Sequence, residues 1–538
     1  MKYRIPSFII VILLLCTLVQ CAKKGMPEGG PEDEEPPRFI RANPENFTTN
    51  FDEEEIRIFF NEYVKLENPQ QQIIISPPMD PRPSILPLGS ARKDVRIEIF
   101  DTLEENTTYT INFGKSITDN NEGNPLHYFK YVFSTGDYID SLEVGGTVED
   151  AYLKKPADFI SIFLYEVDST FSDSVVYKKT PRYVTYTLDS TNIFNLENLK
   201  AGTYQMLAVQ DNNDNYLFNP AKEKIGFIEN HITIPTDSTY QITIFQEKLD
   251  FEIQRPKQLK GQQILFGYEG SANLDSIRIE PLTPQPFGFE SRIVKDRKTD
   301  SLYYWYKPNI ETDSLVFEVI SPGGRRDTLI TRITEMERDS LKVTAEPSGN
   351  INFEQNVVLK ANTPLISSDE SRITVLDKDS AAVSFSTDLR LLENELHISF
   401  NKTESNKYVV QALPGTVTDM FEATNDTITQ RISTKALSDF GNLTFRLQNV
   451  EEYPVIAQLT NLKGEVMAEI YSEGENVVEF KNLNPGEFFM RLVFDRNDNK
   501  KWDTGDYLEK RQPERIEYFP DTLEVRANWD QNEQFILE

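Results

Sequence analysis

A loop near the end of the chain carries the residue types that bind a hard cation. Acidic and amide side chains alternate there and are followed by further oxygen donors; the candidate ligands are Asp495, Asn497, Asn499, the carbonyl of Lys501, Asp503 and Asp506. Calcium takes about six to eight oxygen ligands from carboxylates, amides and carbonyls. The spacing therefore predicts a calcium site. An alternative stays open, in which the Asp and Asn side chains bond their own backbone in a hairpin turn.

The spacing of this loop, which we call the second Asp/Asn loop, resembles that of EF-hand-like calcium loops, with two departures. Lys500 stands where a glycine is expected, and Asp506 stands where a bidentate glutamate is expected. A shorter version of the loop occurs earlier, and its candidate ligands are Asp211, Asn213 and Asn215. Fewer donors follow the first loop, so it is the weaker calcium candidate.

Cys21 is predicted to carry a covalently attached lipid. Lys2 and Arg4 precede the apolar stretch Phe8–Val19, which is too short to span a bilayer and is typical of a secretory signal peptide. A cysteine follows at once, and this resembles the bacterial lipoprotein signal. The resemblance implies cleavage before Cys21 and its acylation with chains such as palmitate, although Gln20 replaces the usual small residue. Several acyl chains together would hold the protein on a membrane.

The resemblance also predicts where the chain lies. Residues 21–36 lack periodic apolar side chains and are predicted to be a flexible tether. No Asp follows Cys21, which favours the outer membrane of a Gram-negative cell. Lys23 and Lys24 precede the acidic run that begins at Glu32, so the cell-surface and periplasmic faces both remain open.

Few residues suggest catalysis. The three histidines, His127, His231 and His397, are far apart in sequence, and no nucleophile, phosphate-binding or metalloprotease motif occurs. We therefore expect no enzymatic activity. The aromatic run Tyr303–Tyr306 is interpreted either as a glycan or partner platform or as a strand packed on both faces.

A short pattern recurs along the chain: Asp, then Ser or Thr, then an apolar residue or Thr. It resembles the O-glycosylation acceptor of exported Bacteroidota proteins, but the same residues also close turns before strands. The hydroxyl residues concerned are Thr102, Ser141, Ser190, Ser276, Ser314, Thr328, Ser340, Thr427 and Thr522.

The elements that must position these residues are β-strands. Apolar and polar residues alternate in short runs bounded by Asn, Asp, Gly and Pro, as in Glu55–Phe60, Val95–Phe100 and Tyr109–Phe113. No long helical period is found. With only two cysteines, Cys16 inside the signal and Cys21, no internal disulfide is expected, and 38% hydrophobic residues suit several folded domains. The prediction is an all-β chain of tandem β-sandwiches.

Two segments occur twice. The run Asn198–Tyr204 followed by the first Asp/Asn loop recurs as Asn482–Phe488 followed by the second loop, and a fainter repeat joins Tyr109–Thr135 to Tyr408–Thr434. The predicted organisation comprises a signal peptide (1–20), the tether (21–36) and five β-sandwiches, at residues 37–138, 143–248, 249–345, 346–437 and 438–538. The fourth is a divergent repeat of the first, and the fifth repeats the second.

Motifs in the first two domains carry a family resemblance. Ala42–Pro44, Ile58–Val64 and Phe133–Thr135 resemble the bacterial Ig-like domain of S-layer and envelope proteins. The tether with Gly29–Pro31 resembles that of Bacteroidota Ig-like lipoproteins, and Val144–Val148 with Leu199–Tyr204 is similar to prealbumin-like domains of carboxypeptidases. The resemblance, carried over to the repeats, implies Ig-like domains at 37–138 and 346–437, prealbumin-like sandwiches at 143–248 and 438–538, and a sandwich of uncertain type at 249–345. It also implies spacers, adhesive surfaces or subunits of envelope assemblies.

The net charge of the chain limits the classes of partner that it can bind. The formal net charge of −30 and the lack of Lys and Arg clusters exclude nucleic acid, because phosphate binding needs cations. We expect a non-catalytic lipoprotein, anchored in the membrane by its N-terminal lipid, that is a structural or interaction subunit of an outer-membrane complex with a protein partner. The alternative is a surface lipoprotein that binds glycans during nutrient uptake.

Overall fold

The computed structural model describes residues 33–187, 191–271 and 273–537. In these ranges the chain forms 42 strands, four short 3-10 segments and one helix of four residues, α1 (Pro69–Gln72), which confirms the all-β prediction. None of the described helices has the length and apolar character needed to cross a membrane. The predicted signal peptide, Cys21 and most of the predicted tether lie outside the described residues.

The first compact unit takes in the described residues up to Glu143, together with 182–184 and 197–200. It has one sheet in the order β1-β2-β5-β4, with β7 beside β2, and a second in the order β3-β6-β8. Alternate residues of β2, Ile56, Ile58 and Phe60, are buried between the sheets, as a period of two requires. The strands are β1 (Phe39–Asn43), β2 (Glu55–Leu66), β3 (Ile74–Ser76), β4 (Ser84–Leu86), β5 (Arg92–Glu98), β6 (Thr108–Asn112), β7 (Ile117–Asp119) and β8 (Lys130–Ser134).

The next sandwich, which we call sandwich A, belongs almost entirely to the second compact unit. Its sheets have the orders β12-β9-β16 and β11-β10-β13-β14, with β15 also paired to β13, and β16 runs parallel to β9. Its strands are β9 (Leu142–Asp150), β10 (Ser161–Glu166), β11 (Tyr183–Tyr186), β12 (Ile193–Leu199), β13 (Gly202–Val209), β14 (Ile225–Phe227), β15 (Ile232–Ile234) and β16 (Tyr240–Ile244).

The middle sandwich has its own core. Its sheets are β17-β19-β22-β21, with β18 beside β19, and β20-β23-β24. Tyr304 and Tyr306 of β22 are buried against Phe266 and Phe317. The strands are β17 (Glu252–Ile253), β18 (Lys257–Lys260), β19 (Gln263–Glu269), β20 (Arg278–Pro281), β21 (Glu290–Lys295), β22 (Ser301–Lys307), β23 (Ser314–Ile320) and β24 (Arg326–Arg332).

The fourth sandwich repeats the strand order of the first. Its sheets are β25-β27-β31-β30, β26-β34-β32-β29 and the pair β28-β33. The predicted boundary at 345/346 falls inside β25. The strands are β25 (Val343–Glu346), β26 (Gly349–Asn350), β27 (Val357–Ala361), β28 (Leu365–Ser368), β29 (Ile373–Leu376), β30 (Phe385–Arg390), β31 (Glu395–Phe400), β32 (Lys407–Ala412), β33 (Val417–Asp419) and β34 (Ile428–Ser433).

The last sandwich, sandwich B, repeats the strand order of sandwich A. Its sheets are β38-β35-β42 and β37-β36-β39-β40, with β41 beside β39, and β42 again runs parallel to β35. The strands are β35 (Gly441–Gln448), β36 (Val455–Thr460), β37 (Val466–Ser472), β38 (Val477–Leu483), β39 (Gly486–Phe494), β40 (Ile516–Tyr518), β41 (Leu523–Val525) and β42 (Asp530–Ile536). Each Asp/Asn loop thus joins equivalent strands, β13 to β14 in sandwich A and β39 to β40 in sandwich B. The predicted domain boundaries stay predictions.

Candidate functional site

The two Asp/Asn loops share one backbone conformation. In each, the first Asp accepts the N–H groups of the residues four and five positions later, and the residues three and five positions later have positive φ. The hydrogen bonds join Asp211 to Asn215 and Tyr216 (3.3 and 2.8 Å) and Asp495 to Asn499 and Lys500 (3.1 and 2.7 Å). The φ values are 52° and 57° at Asp214 and Tyr216, and 59° and 62° at Asp498 and Lys500. The repeat found in the sequence is therefore also a repeat of geometry.

The predicted calcium ligands of the second loop are bonded to one another and to the backbone. Asn497 and Asn499 each donate Nδ2–H to Oδ2 of Asp503, over 2.5 and 2.6 Å. Their own Oδ1 atoms accept the N–H groups of Asn499 and Lys501. This is the turn geometry of the alternative interpretation. A cation beside Asp503 would require both amides to rotate so that oxygen replaces nitrogen.

Asp506 lies apart from that group. Its backbone pairs with Arg511, and its Oδ1 accepts the N–H of Glu509. In the first loop, Asp211 accepts the N–H of Asn213. Among the described residues, Asn215 donates no hydrogen bond that corresponds to the bond from Asn499 to Asp503. No group of three His, Cys, Asp or Glu side chains placed to hold a metal occurs within the described ranges. Calcium binding therefore stays a prediction.

Two buried glutamates organise the loops, and the sequence reasoning did not single them out. Glu514 accepts the N–H groups of Arg496 and Asp503, both over 2.9 Å. Glu223 accepts those of the equivalent Asn212 and Asn219, over 3.2 and 2.8 Å. The exposed fraction is 9% for Glu514 and 1% for Glu223. Each glutamate stands two positions before the strand that follows the loop, and this shared position is the signal by which aligned repeats would have revealed them.

Both glutamates have perturbed acidity. Burial raises the pKa of Glu514, and the negative charges of Asp503 and Asp495 raise it further against the opposing effect of the two N–H donors. Burial likewise raises the pKa of Glu223, with Asp211 contributing. The backbone N–H donors explain why a carboxylate is retained in such an environment.

A fully buried arginine lies where sandwich B meets sandwich A inside the second unit. Arg491 of β39 donates Nε–H to Gln458 and Nη1–H to the carbonyl of Tyr152 and the hydroxyl of Tyr518, over 2.8, 2.6 and 3.0 Å. Its guanidinium carbon lies 3.9 Å from the centre of the Tyr152 ring. Its buried Nη2 has no hydrogen-bond partner among the residues that the structure describes. The outer face of this sheet combines polar side chains with apolar ones such as Val493, and both kinds are buried.

A cleft of about 1150 Å³ follows the same contact between sandwiches A and B. Its lining combines apolar groups such as Phe227 and Tyr518 with charged ones such as Lys154, Glu229 and Glu517. Lys154 donates to the carbonyls of Phe519 and Pro520, so its charge helps to hold the two walls together. The lining therefore places charged and apolar side chains next to each other.

The other sequence candidates have structural partners. Tyr304 and Tyr306 pack in the core of the middle sandwich, and Trp305 is buried with Val294 and Met420. The packed-strand interpretation of the aromatic run is therefore the correct one. His397 lies beside Glu395 on β31, and His127 and His231 contact aromatic rings.

Most of the Asp-Ser/Thr sites are accessible. Among those that the structure describes, only Ser314 is partly buried, within β23, and the others are exposed: Thr102, Ser141, Ser276, Thr328, Ser340, Thr427 and Thr522. Ser190 lies outside the described residues.

Comparison with known proteins supports the prediction of an Ig-like domain near the start of the chain. The bacterial Ig-like domain family matches residues 33–135. No match was found among curated protein sequences. Three solved structures are similar at low identity. Domains 1–6 of surface layer protein SbsC share 11% identity (86% of this chain, 66% of that chain, TM-score 0.15), the Bacillus anthracis TIE protein 12% (98%, 78%, 0.14) and the Bacillus cereus major pilin subunit BcpA 11% (74%, 99%, 0.13).

These structural likenesses have a limited meaning. The chain spans slightly less than two thirds of the SbsC chain, and all three TM-scores are too low to support an inference about function. The family match is independent of them. It agrees with the resemblance drawn from Ala42–Pro44 and Phe133–Thr135, and residues 33–135 are similar to bacterial Ig-like domains.

Proposed function

We propose that this protein is a non-catalytic lipoprotein of the cell envelope, attached to the outer membrane through lipid on Cys21, and that it is an interaction subunit of an outer-membrane-associated complex in a Bacteroidota-type cell. The observation that carries the proposal is the position of the Ig-like match, which begins at residue 33, shortly after the lipoprotein-like cysteine. Only a short tether separates the predicted lipid from an array of β-sandwiches.

The chemistry of the described residues favours contact over catalysis. Buried acids such as Glu223 and Glu514 accept backbone N–H groups, and the buried Arg491 joins two sandwiches. These groups hold loops and sheets in place. An array of this kind offers a large contact area to a protein partner.

The glycan-binding alternative has less support. Its best platform was the aromatic run Tyr303–Tyr306, and three of these four rings are buried. Within the described residues, the cleft between sandwiches A and B is a second place where a saccharide would fit.

The test is purification of the tagged chain from its own membranes in a mild detergent, followed by mass spectrometry of what comes with it. A stoichiometric outer-membrane protein is the expected result. Cys21→Ser is the matched control, because it should lose both lipid labelling and membrane recovery. Recovery of the lipidated chain without any partner would overturn the subunit role while leaving the lipid anchor standing.

A further inference from the structure

The second Asp/Asn loop is longer than the first, and the extra residues have one location. Asp495 and Glu514 lie 19 positions apart, whereas Asp211 and Glu223 lie 12 apart, so the second loop is seven residues longer. The hydrogen bonds of the two loops correspond as far as Asn219 and Asp503. The insertion therefore follows Asp503. We call residues 504–511 the clasp segment.

The clasp segment is bonded to sandwich A rather than to its own sandwich alone. Thr504 donates Oγ1–H to the carbonyl of Gln246 (2.6 Å), and the Tyr507 N–H donates to Oε1 of Glu247 (2.7 Å). Asp173 accepts the Tyr507 hydroxyl over 3.2 Å and the Lys510 ammonium over 2.6 Å. These bonds engage both the connection after β10 and the chain after β16.

Close packing accompanies the polar contacts. Tyr507 is fully buried, and its ring lies 5.5 Å from that of Phe227 in an edge-to-face arrangement. A Cβ atom on Gly505 would come within 2.6 Å of the Phe245 ring and 2.7 Å of the Arg511 carbonyl. Glycine is thus required where the clasp segment crosses sandwich A.

A second patch joins the same two sandwiches. Tyr152 of sandwich A stacks on Arg491 and lies 4.9 Å from the Trp502 ring, measured between ring centres. Lys154 lies over Phe489 of β39. If the sandwiches separated, the buried face of sandwich B around Arg491 and the Tyr507 pocket of sandwich A would both open to water.

We propose that the clasp segment is a built-in latch that makes sandwiches A and B one cooperative unit, so that neither can open without the other. Sandwiches A and B differ in this segment, and the longer loop of sandwich B binds sandwich A through it. The latch connects the first and last sandwiches of the second unit directly, in addition to the chain that passes through the two sandwiches between them.

Cross-linking of the mature full-length chain tests whether the latch is closed in solution. A water-soluble carbodiimide activates the Asp173 carboxylate, the Lys510 amine attacks it, and an amide forms with loss of the carbodiimide as a urea. We expect the 173–510 cross-link by mass spectrometry and a several-fold loss of its yield in Tyr507→Ser. The Lys360–Glu346 pair, 2.6 Å apart in the fourth sandwich, is the internal control and should be unchanged. Absence of the 173–510 link while the control pair reacts would overturn the proposal.

Hydrogen exchange tests the cooperativity. Tyr507→Ser should raise amide exchange in β14 of sandwich A as well as in the clasp segment, because Phe227 loses the ring that covers it. Leu508→Ser is the matched control, since Leu508 is 55% exposed in the same segment and should leave β14 unchanged. If Tyr507→Ser changed exchange only within 504–511, the two sandwiches would be independent and the proposal would fail.

Discussion

Glu223 and Glu514 accept hydrogen bonds from equivalent backbone N–H groups in two loops that lie in different sandwiches. Each carboxylate joins the residue after the first loop Asp to the residue eight positions after that Asp. Both glutamates are buried. The relationship shows that the loops are held from within by a carboxylate, whatever else they bind.

Replacing Glu514 by Gln should destabilise the loop. Gln keeps one acceptor oxygen and places an NH₂ group against a backbone N–H, so one buried donor is left without an acceptor, at a cost of about 1–3 kcal/mol. We expect a lower midpoint of thermal unfolding by calorimetry. Glu509→Gln is the control, because Glu509 is exposed and only 3.5 Å from Arg511 in a surface pair. Equal effects of the two substitutions would contradict the holding role.

The raised pKa of Glu514 predicts a pH dependence with a definite sign. Between its ordinary value of 4.5 and its higher folded value, the folded chain binds the proton more often than the unfolded chain does. Stability due to this group is therefore fully present below pH 4.5 and decreases as pH rises through the folded pKa. The wild type should lose stability relative to Glu514→Gln over that interval, and the difference should then level off. Denaturant unfolding at several pH values, followed by tryptophan fluorescence, gives the free energy of unfolding of both proteins. A wild type that gains stability relative to Glu514→Gln as pH rises would contradict the assignment.

Much of the fold follows from local patterns, but the clasp does not. Alternating runs such as Ile56–Phe60 predict strands because one face is buried, and the two copies of the Asp/Asn loop predict a repeated sandwich. Glu514 was missed because a lone glutamate carries no chemical signature until it is placed beside Arg496 and Asp503. The contact of Tyr507 with Asp173 could not be foreseen, since sequence periodicity contains no information about partners hundreds of positions away.

Arg491 should be sensitive to a substitution that keeps its charge. The planar guanidinium reaches Gln458, Tyr152 and Tyr518 while it stacks on a ring, and a lysine ammonium cannot do both. Arg491→Lys should therefore lower the stability of the second unit by about 1–3 kcal/mol, through buried acceptors that lose their donor. Arg515→Lys, at an exposed position beside Glu517, should cost little. Calorimetry compares the thermal stability of the two variants. An unchanged stability of Arg491→Lys would mean that packing alone joins the sandwiches.

If the Asp-Ser/Thr sites carry glycans, modification should follow exposure. Thr102 and Thr522 are exposed and should be occupied, whereas Ser314 is partly buried within β23 and should not. Mass spectrometry of glycopeptides from the protein purified from its native cells gives the occupancy of each site. Thr522→Ala should remove one glycan without changing the others. Unmodified peptides at all the exposed sites would leave the turn interpretation as the correct one.

Calcium remains a prediction for the second loop, and its geometry makes the prediction specific. A cation beside Asp503 would turn the amides of Asn497 and Asn499 so that oxygen faces it, and would relieve the repulsion among Asp495, Asp503 and Glu514. Binding should therefore lower the raised pKa of Glu514 toward its ordinary value. It should also stabilise the fold by about 2.7 kcal/mol at a calcium concentration 100 times the dissociation constant, which raises the unfolding midpoint. Titration calorimetry of the metal-free protein should show one site, which is lost in Asp503→Asn and kept in Asp211→Asn. Magnesium is the control ion, because it demands a stricter octahedral geometry. If millimolar calcium gives neither heat nor a shift of the midpoint, these side chains serve only the turn, and Asp495 and Glu514 hold the loop through its backbone N–H groups.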